Sequence, residues 1–171
     1  MDYKKINIIN NFLTEDDIKY FIKEIDNLEE SKQMEYRPNG RVRSWHTSID
    51  SMDDIKDKYA LKSIEAISKA YGLNYEIYLS DFAYFISLKD SYMHKHIDAG
   101  DEYSHFKYSA VIYLNEDFDG GELIFPNIGY TYEPKAGDIV FFPSDDDDYE
   151  HMVNLLKSGK RYVIGFWFSA V

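Results

Sequence analysis

Two residues spaced for metal binding stand near the middle of the chain, His96 and Asp98. Residues two apart in a β-strand point to the same face, so both side chains can reach one ion. Pairing His94 with His96 instead would leave Asp98 unused, and we expect His94 at the surface or just behind the ligands. A third ligand must come from elsewhere, and His151 opens another strand-like run after a polar loop. Two imidazoles and one carboxylate suit an iron(II) ion that keeps positions open for dioxygen.

A candidate anion-binding residue, Arg161, follows ten residues after His151, inside an apolar run typical of a buried strand. A buried arginine needs an anion, which either a protein carboxylate or a bound ligand can supply. A planar guanidinium is suited to gripping a ligand carboxylate at two points. Tyr113 and Ser109 lie four apart on one strand-like run and can add hydroxyl donors from the same face. Alternatively, Tyr113 is a core tyrosine and Ser109 a small core residue.

The front part of the chain has helical patterns. Thr14 followed by Asp17 resembles a capping box, and the apolar residues that come next predict a helix over residues 14–29. A second pattern predicts a helix over residues 55–71, and Gly72 stands where a C-terminal cap belongs.

From Asn74 onward the chain changes to short runs rich in Tyr, Phe, Ile and Val, separated by Gly, Pro and Asp. This texture predicts seven or eight strands. We therefore expect an α+β fold, with helices packed outside a barrel or two-sheet sandwich. The length favours one domain over residues 1–171, with a helical support region at 1–73 and a β core at 74–171.

Composition excludes several classes of function. The chain has no cysteine, so disulfides, zinc–thiolate sites and thiol nucleophiles are ruled out. The formal net charge of −12 disfavours nucleic acid and anionic membranes as partners. We interpret the four aspartates at 145–148 as a solvated loop, although their place before His151 leaves a substrate-facing role open. Without a signal-like or membrane-spanning stretch, we expect a cytoplasmic protein.

Motifs along nearly the whole chain resemble those of the prolyl 4-hydroxylase-like branch of the 2-oxoglutarate- and iron(II)-dependent oxygenases. In chain order these motifs are INIINNFLTEDDIKYFI, RVRSW, HKHID, YSAVIYLN, GGELIFP, YEPKAGDIVFF and HMVNLLKSGKRYVIGFWF. Two features depart from the family pattern. Residues 87–90 read Ser-Leu-Lys-Asp where relatives often have Tyr-x-x-Gly, and Leu155 replaces a frequent proline.

The resemblance implies a double-stranded β-helix (a jelly-roll or cupin-like barrel) with flanking N-terminal helices. It also implies that His96, Asp98 and His151 bind Fe(II), that Arg161 binds the far carboxylate of 2-oxoglutarate, and that Tyr113 supports it. The expected reaction is hydroxylation of a C–H bond with release of succinate and carbon dioxide. We further expect ascorbate to serve as the reductant during sustained turnover.

The favoured substrate is a peptidyl proline, because relatives with these motifs commonly act on peptides and Arg41, Arg43, Ser44 and Trp45 can line a groove. Trp45 can equally be a core residue. His46 and His105 are expected to be structural or groove residues. A free amino acid or another small molecule is the alternative substrate, and a non-catalytic β-helix binding module is the alternative function.

Overall fold

The structure is a computed structural model that describes residues 5–37, 41–46 and 52–171. Its two α-helices are α1, Glu15–Glu30, and α2, Asp54–Tyr71. The strands, β1 to β13 in chain order, are Asn7–Ile9, Glu35–Tyr36, Val42–His46, Ile77–Ser87, Met93–His96, Phe106–Tyr113, Asp119–Gly120, Leu123–Phe125, Tyr130–Tyr132, Ile139–Pro143, His151–Val153, Leu156–Ser158 and Arg161–Ala170.

Both predicted helices are confirmed, and side-chain caps explain where they begin. The hydroxyl of Thr14 accepts a hydrogen bond from the Asp17 amide at 3.2 Å. The Asp53 side chain caps α2 by accepting hydrogen bonds from the amides of Ile55 and Lys56, and Gly72 ends this helix with a φ of 61°. Neither described helix is long and apolar enough to cross a lipid bilayer.

The strands form two main sheets, which confirms the α+β prediction. The larger sheet has the order β1-β10-β6-β13-β4-β3-β2, and the smaller one has the order β5-β11-β8-β9. Ten strands follow residue 74 instead of seven or eight, because several have only two or three residues and show no alternation in the sequence. Strands β1, β2 and β3 join the larger sheet, so residues 1–73 supply strands as well as helices.

The larger sheet has two different faces, as β13 shows. Four alternate residues of this strand pack with the helices in one apolar cluster, namely Tyr162, Ile164, Phe166 and Phe168. Val163 belongs to a second cluster that joins the opposite face to the smaller sheet. Since β-strand side chains alternate between faces, the remaining positions of β13 point toward the space between the sheets. We call this side of the larger sheet the inner face and the other the helix face.

The space between the sheets receives the residues singled out by the sequence. In the smaller sheet, β5 and β11 are antiparallel neighbours, with His96 directly opposite His151. In the larger sheet, β6 and β13 are neighbours that carry Tyr113 and Arg161. The smaller sheet thus supplies both histidines, and the inner face supplies the side chains around them.

Candidate active site

Three potential metal ligands converge where β5 and β11 meet. The Oδ1 atom of Asp98 lies 3.3 Å from Nε2 of His96 and 3.7 Å from Nε2 of His151. One ligand atom from each of the three residues lies within 4.8 Å of the others, and no other such cluster occurs in the described part of the chain. The three side chains predicted from the sequence are therefore close enough to share one ion.

Both histidines are oriented by main-chain carbonyl groups. Nδ1 of His96 donates to the His94 carbonyl at 2.8 Å, and Nδ1 of His151 donates to the Tyr149 carbonyl at 3.1 Å. A carbonyl oxygen only accepts, so the neutral imidazole carries its proton on Nδ1 and keeps the Nε2 lone pair free. Metal-binding histidines are commonly fixed in this way.

The second carboxylate oxygen of Asp98 is already occupied. Oδ2 accepts a hydrogen bond from the Ser109 hydroxyl at 2.6 Å and another from the Trp167 indole N–H at 3.0 Å. Oδ1 is left facing the two histidines. Burial raises the pKa of Asp98, but nearby His151 and His96 and the Ser109 hydrogen bond outweigh it, so the net pKa lies well below the ordinary value.

The two imidazoles have different surroundings. Burial lowers the pKa of His151, which favours the neutral form that binds metals. Burial also lowers the pKa of His96, but the adjacent Asp98 carboxylate and the His94 carbonyl raise it more, and the net shift is upward. The His96 side chain is 34% exposed and that of His151 only 7%. The site is therefore closed on the His151 side and open on the His96 side.

The role of Trp167 was missed from the sequence. Its indole lies over Gly165, where an added Cβ would come within 2.5 Å of the ring. The ring also stacks on Phe106, with centroids 6.0 Å apart. A glycine two residues before a tryptophan in a predicted strand was the available signal, because it leaves space for the ring on the same face.

Arg161 and Tyr113 form a second buried group on the inner face. The guanidinium carbon lies 5.2 Å from the centroid of the Tyr113 ring. Both residues are buried, and neither Nε of Arg161 nor the Tyr113 hydroxyl has a hydrogen-bond partner within the described ranges. Burial raises the pKa of Tyr113, and its neighbour Arg161 opposes that shift only in part, so the hydroxyl remains a donor.

No carboxylate of residues 5–37, 41–46 or 52–171 forms an ion pair with Arg161. The alternative of an internal protein anion is therefore unsupported there. Buried polar groups are normally paired, and unpaired ones call for an explanation such as a missing ligand.

The Ser109 hydroxyl lies apart from the Arg161 and Tyr113 pair. Its side chain lies on the same face as Tyr113, but its hydroxyl contacts Asp98 and the Ser144 hydroxyl. Four residues along a strand span about 13 Å. Ser109 therefore lies at the metal-ligand end of the site instead of joining Tyr113 at Arg161.

The remaining histidines lie outside the cluster. His94, His46 and His105 are exposed side chains. Nδ1 of His46 lies 3.9 Å from an Asp81 carboxylate oxygen, and the His105 ring contacts Phe106. These positions agree with structural or groove roles.

The predicted groove is only partly present. Trp45 stacks on Tyr84 in the helix-face core, with ring centroids 5.4 Å apart, so its core alternative is the correct one. Arg43 pairs with Glu29 of α1. Both side chains thus turn away from the inner face, because strand alternation places residues 43 and 45 together. Ser44 is buried, and Arg41 is exposed.

Solved structures with the same fold include two prolyl hydroxylases. Viral collagen prolyl hydroxylase vCPH from Paramecium Bursaria Chlorella virus-1, in a 2OG complex, aligns with a TM-score of 0.79 at 19% identity over 99% of this chain and 98% of that one. A prolyl hydroxylase from Trichoplax adhaerens, in complex with a hypoxia inducible factor oxygen degradation domain peptide fragment, aligns with a TM-score of 0.76 at 20% identity over 98% and 84%. The double-stranded β-helix is therefore confirmed.

Two curated proteins match parts of the sequence. Human prolyl 3-hydroxylase 2 is 35% identical over 72 residues, which are 39% of this chain and 10% of the human protein. A putative prolyl 4-hydroxylase of Acanthamoeba polyphaga mimivirus is 33% identical over 67 residues, 35% of this chain and 28% of that protein. The matched segments thus span only a minor part of these relatives.

One family model matches residues 82–169, more than half of the chain, and is described as the 2OG-Fe(II) oxygenase superfamily. The matched range contains the His96, Asp98 and His151 cluster and also Arg161 and Tyr113. The chain therefore belongs to the 2OG-Fe(II) oxygenase superfamily.

Proposed function

We propose that this protein is a 2-oxoglutarate- and Fe(II)-dependent dioxygenase that hydroxylates a C–H bond. The observation that carries the proposal is the arrangement of free ligand atoms. Nε2 of both histidines and Oδ1 of Asp98 point at one another, while the other polar atom of each side chain is already hydrogen-bonded. Three such atoms suit Fe(II) with open positions.

His96, Asp98 and His151 would hold the iron. When bound with 2-oxoglutarate, Fe(II) would supply the dioxygen activation that converts C–H to C–OH, with one oxygen atom going to the product and one to succinate as carbon dioxide leaves. The two histidines would bind as neutral imidazoles, because each donates its Nδ1 proton to a carbonyl and keeps Nε2 available. Because Fe(II) at a site open to dioxygen can be oxidised to Fe(III), we also propose that a reductant such as ascorbate sustains turnover.

Arg161 and Tyr113 would bind the far carboxylate of 2-oxoglutarate. Their support is the pair of unpartnered donor atoms buried on the inner face. A guanidinium offers parallel N–H groups to a carboxylate, and the neighbouring phenol adds an O–H donor. Gly121 lets the loop pass close to this arginine, since a Cβ there would lie 3.2 Å from Arg161 Cδ.

Aromatic side chains exclude water from the His151 side. The rings of Phe142 and Phe125 lie with centroids 4.7 Å and 5.7 Å from the His151 ring. The more exposed His96 leaves the opposite side for the substrate to approach. A dry wall behind the ligands protects reactive species from side reactions with solvent.

We propose a peptidyl proline as the substrate. The two curated relatives described above are named as prolyl hydroxylases, and one structural neighbour is a prolyl hydroxylase in complex with a peptide fragment. Aromatic side chains next to the site could also contact a peptide substrate. Tyr103 is 50% exposed and stacks on Phe106, which in turn stacks on Trp167. Stacked rings next to Asp98 can pack against a prolyl ring. The curated relatives differ in the ring carbon that their names give, so product analysis must identify the position.

A free amino acid or another small molecule remains the alternative substrate, since the same open side of the site admits either. A binding module without catalysis is disfavoured because Arg161 and Tyr113 keep unpartnered donors in addition to the three ligand residues.

The test is an assay of 2-oxoglutarate decarboxylation with Fe(II) and ascorbate, run with and without proline-containing peptides and free amino acids. Peptide-stimulated succinate release, with a peptide mass increase of one oxygen atom, would support the proposal. Fe(II)-independent decarboxylation would contradict the metal assignment. Stimulation by free amino acids alone would replace the peptide by the small-molecule alternative.

A further inference from the structure

Two residues beyond the ligands donate hydrogen bonds to the second oxygen of Asp98, and a third residue contacts one of these two donors. Ser109 on β6 and Trp167 on β13 donate to Oδ2 at 2.6 Å and 3.0 Å. Ser144, directly after β10, lies 2.7 Å from the Ser109 hydroxyl. These three neighbouring strands of the larger sheet together hold a carboxylate that follows a strand of the smaller sheet.

The direction of the serine hydrogen bonds follows from the chemistry of the carboxylate. An ionised carboxylate only accepts, so the Ser109 proton points to Asp98. The Ser109 oxygen then accepts the Ser144 proton across 2.7 Å. The Ser144 hydroxyl therefore acts on Asp98 only through Ser109, whereas the Trp167 indole acts on Asp98 directly.

The main chain around Ser144 is held on two sides. Its amide donates to the Lys107 carbonyl at 2.9 Å, and its carbonyl accepts from the Ala99 amide at 3.1 Å. Since Ala99 directly follows Asp98, this contact connects the end of β10 to the ligand loop. The two serines are also almost completely buried, so water does not compete for their hydroxyl groups.

We infer that Ser109, Ser144 and Trp167 are positioning residues that keep Oδ2 of Asp98 away from the metal and present only Oδ1 to it. With both donors on Oδ2, the carboxylate would bind a metal through Oδ1 alone. None of the three residues belongs to the cluster of candidate ligands. This inference rests on the proposed metal site.

The experiment measures Co(II) affinity and the visible absorption of the Co(II)-loaded full chain by titration, without any turnover. Ser109→Ala and Trp167→Phe should each weaken Co(II) binding about 10- to 100-fold and alter the absorption bands, as expected for residues that orient a ligand. As a single substitution, Ser144→Ala should weaken Co(II) binding less than Ser109→Ala does. Added to Ser109→Ala, it should cause no further weakening.

Matched controls come from the same sheet. Ser169→Ala removes a buried hydroxyl from a serine pair with an Oγ–Oγ distance of 2.6 Å to Ser80, and Trp45→Phe trims the tryptophan of the helix face. Both should leave Co(II) affinity unchanged. Thermal melts of every variant accompany the titrations, so lost binding can be separated from lost folding.

Two failures have different meanings. If wild-type protein does not bind Co(II), the proposed metal site is wrong. If the wild type binds while Ser109→Ala and Trp167→Phe bind as tightly as the two controls, with unchanged spectra, the positioning inference alone is overturned. An additive effect of Ser144→Ala in the Ser109→Ala background would also overturn the relay through Ser109.

Discussion

The two faces of the larger sheet treat buried cations in opposite ways. On the helix face, Lys56 bonds the carboxylates of Glu24 and Asp53 at 2.7 Å and 2.8 Å. On the inner face, Arg161 is equally buried, and the part of the chain described by the structure gives it no carboxylate partner. A buried charge without a counterion is costly, so a protein that keeps one normally uses it to bind an anion.

Tyrosine hydroxyl groups show the same difference. On the helix face, Tyr84 donates to Glu24, and Tyr162 donates to Asp26 at 2.8 Å. On the inner face, the Tyr113 hydroxyl has no partner within the described ranges. We conclude that the polar groups of the helix face stabilise the fold, whereas those of the inner face remain available to bind a ligand. The following predictions test this division.

The largest effect is expected at Asp98. Asp98→Ala removes the Oδ1 ligand atom, so Fe(II) binding and turnover should both be lost, as measured by metal titration and succinate release. The control is His94→Ala, which removes an exposed ring whose main-chain carbonyl remains to orient His96. Loss of iron in His94→Ala together with retention in Asp98→Ala would show that the ligand assignment is wrong.

Arg161→Ala should weaken 2-oxoglutarate binding by about 2–5 kcal/mol, the usual effect of removing one member of a buried charge-assisted pair. Iron affinity should change little, because Arg161 is not among the clustered ligands. Titration of 2-oxoglutarate into the Fe(II)-loaded protein under anaerobic conditions measures both. Arg161→Lys should retain part of the affinity, since the charge stays and the two-point geometry is lost. Normal affinity with a lowered melting temperature would instead make Arg161 a structural residue.

Lys56→Met should lower the stability of the fold without changing ligand binding, the opposite of what we expect for Arg161→Ala. It leaves the Glu24 and Asp53 carboxylates without their cation and should lower the free energy of unfolding by about 1–3 kcal/mol, a discounted value because both acids are partly exposed. Affinities for iron and 2-oxoglutarate should be unchanged. Lys58→Met is the matched control at an exposed pair with Asp17, and its stability should stay near that of the wild type. Weakened 2-oxoglutarate binding in Lys56→Met would contradict the division between the faces.

The smallest effect is expected on the pH dependence of stability, through the Asp53 carboxyl group on the helix face. Burial raises the pKa of Asp53, but hydrogen bonds from Lys56 and Tyr20 outweigh it and lower the pKa to about 2. A lowered folded-state pKa means that this contribution is full above the ordinary value near 3.8 and is lost as pH falls toward 2. Asp53→Asn should therefore be less stable than the wild type at pH 6, and the difference should shrink between pH 4 and pH 2. Denaturant unfolding at several pH values checks this, and a constant difference would contradict it.

The helices and the His96 and Asp98 pair could be predicted because their signals are local, whereas His151 was assigned with the help of the family resemblance. Thr14 with Asp17, and Gly72, mark helix ends through contacts a few residues away. His96 and Asp98 share a short stretch whose spacing already limits their geometry.

The rest of the site depends on contacts between residues that are far apart in the sequence. Strand alternation correctly placed Ser109 and Tyr113 on one face, but it does not tell which partner each meets along the strand. Trp167 reaches Asp98 across 69 positions, and Ser144 reaches Ser109 across 35. Such contacts follow from the pairing order of the strands, which single-sequence patterns leave open.

Gly165 and Trp167 are sterically coupled. Any side chain at position 165 would meet the indole ring, which in turn needs that empty space to reach Asp98. A lineage that gained alanine at 165 would first have to shrink or move the ring, and a lineage that lost the ring would gain room at 165. We therefore expect these two positions to change together among homologues, with glycine retained wherever the tryptophan is kept.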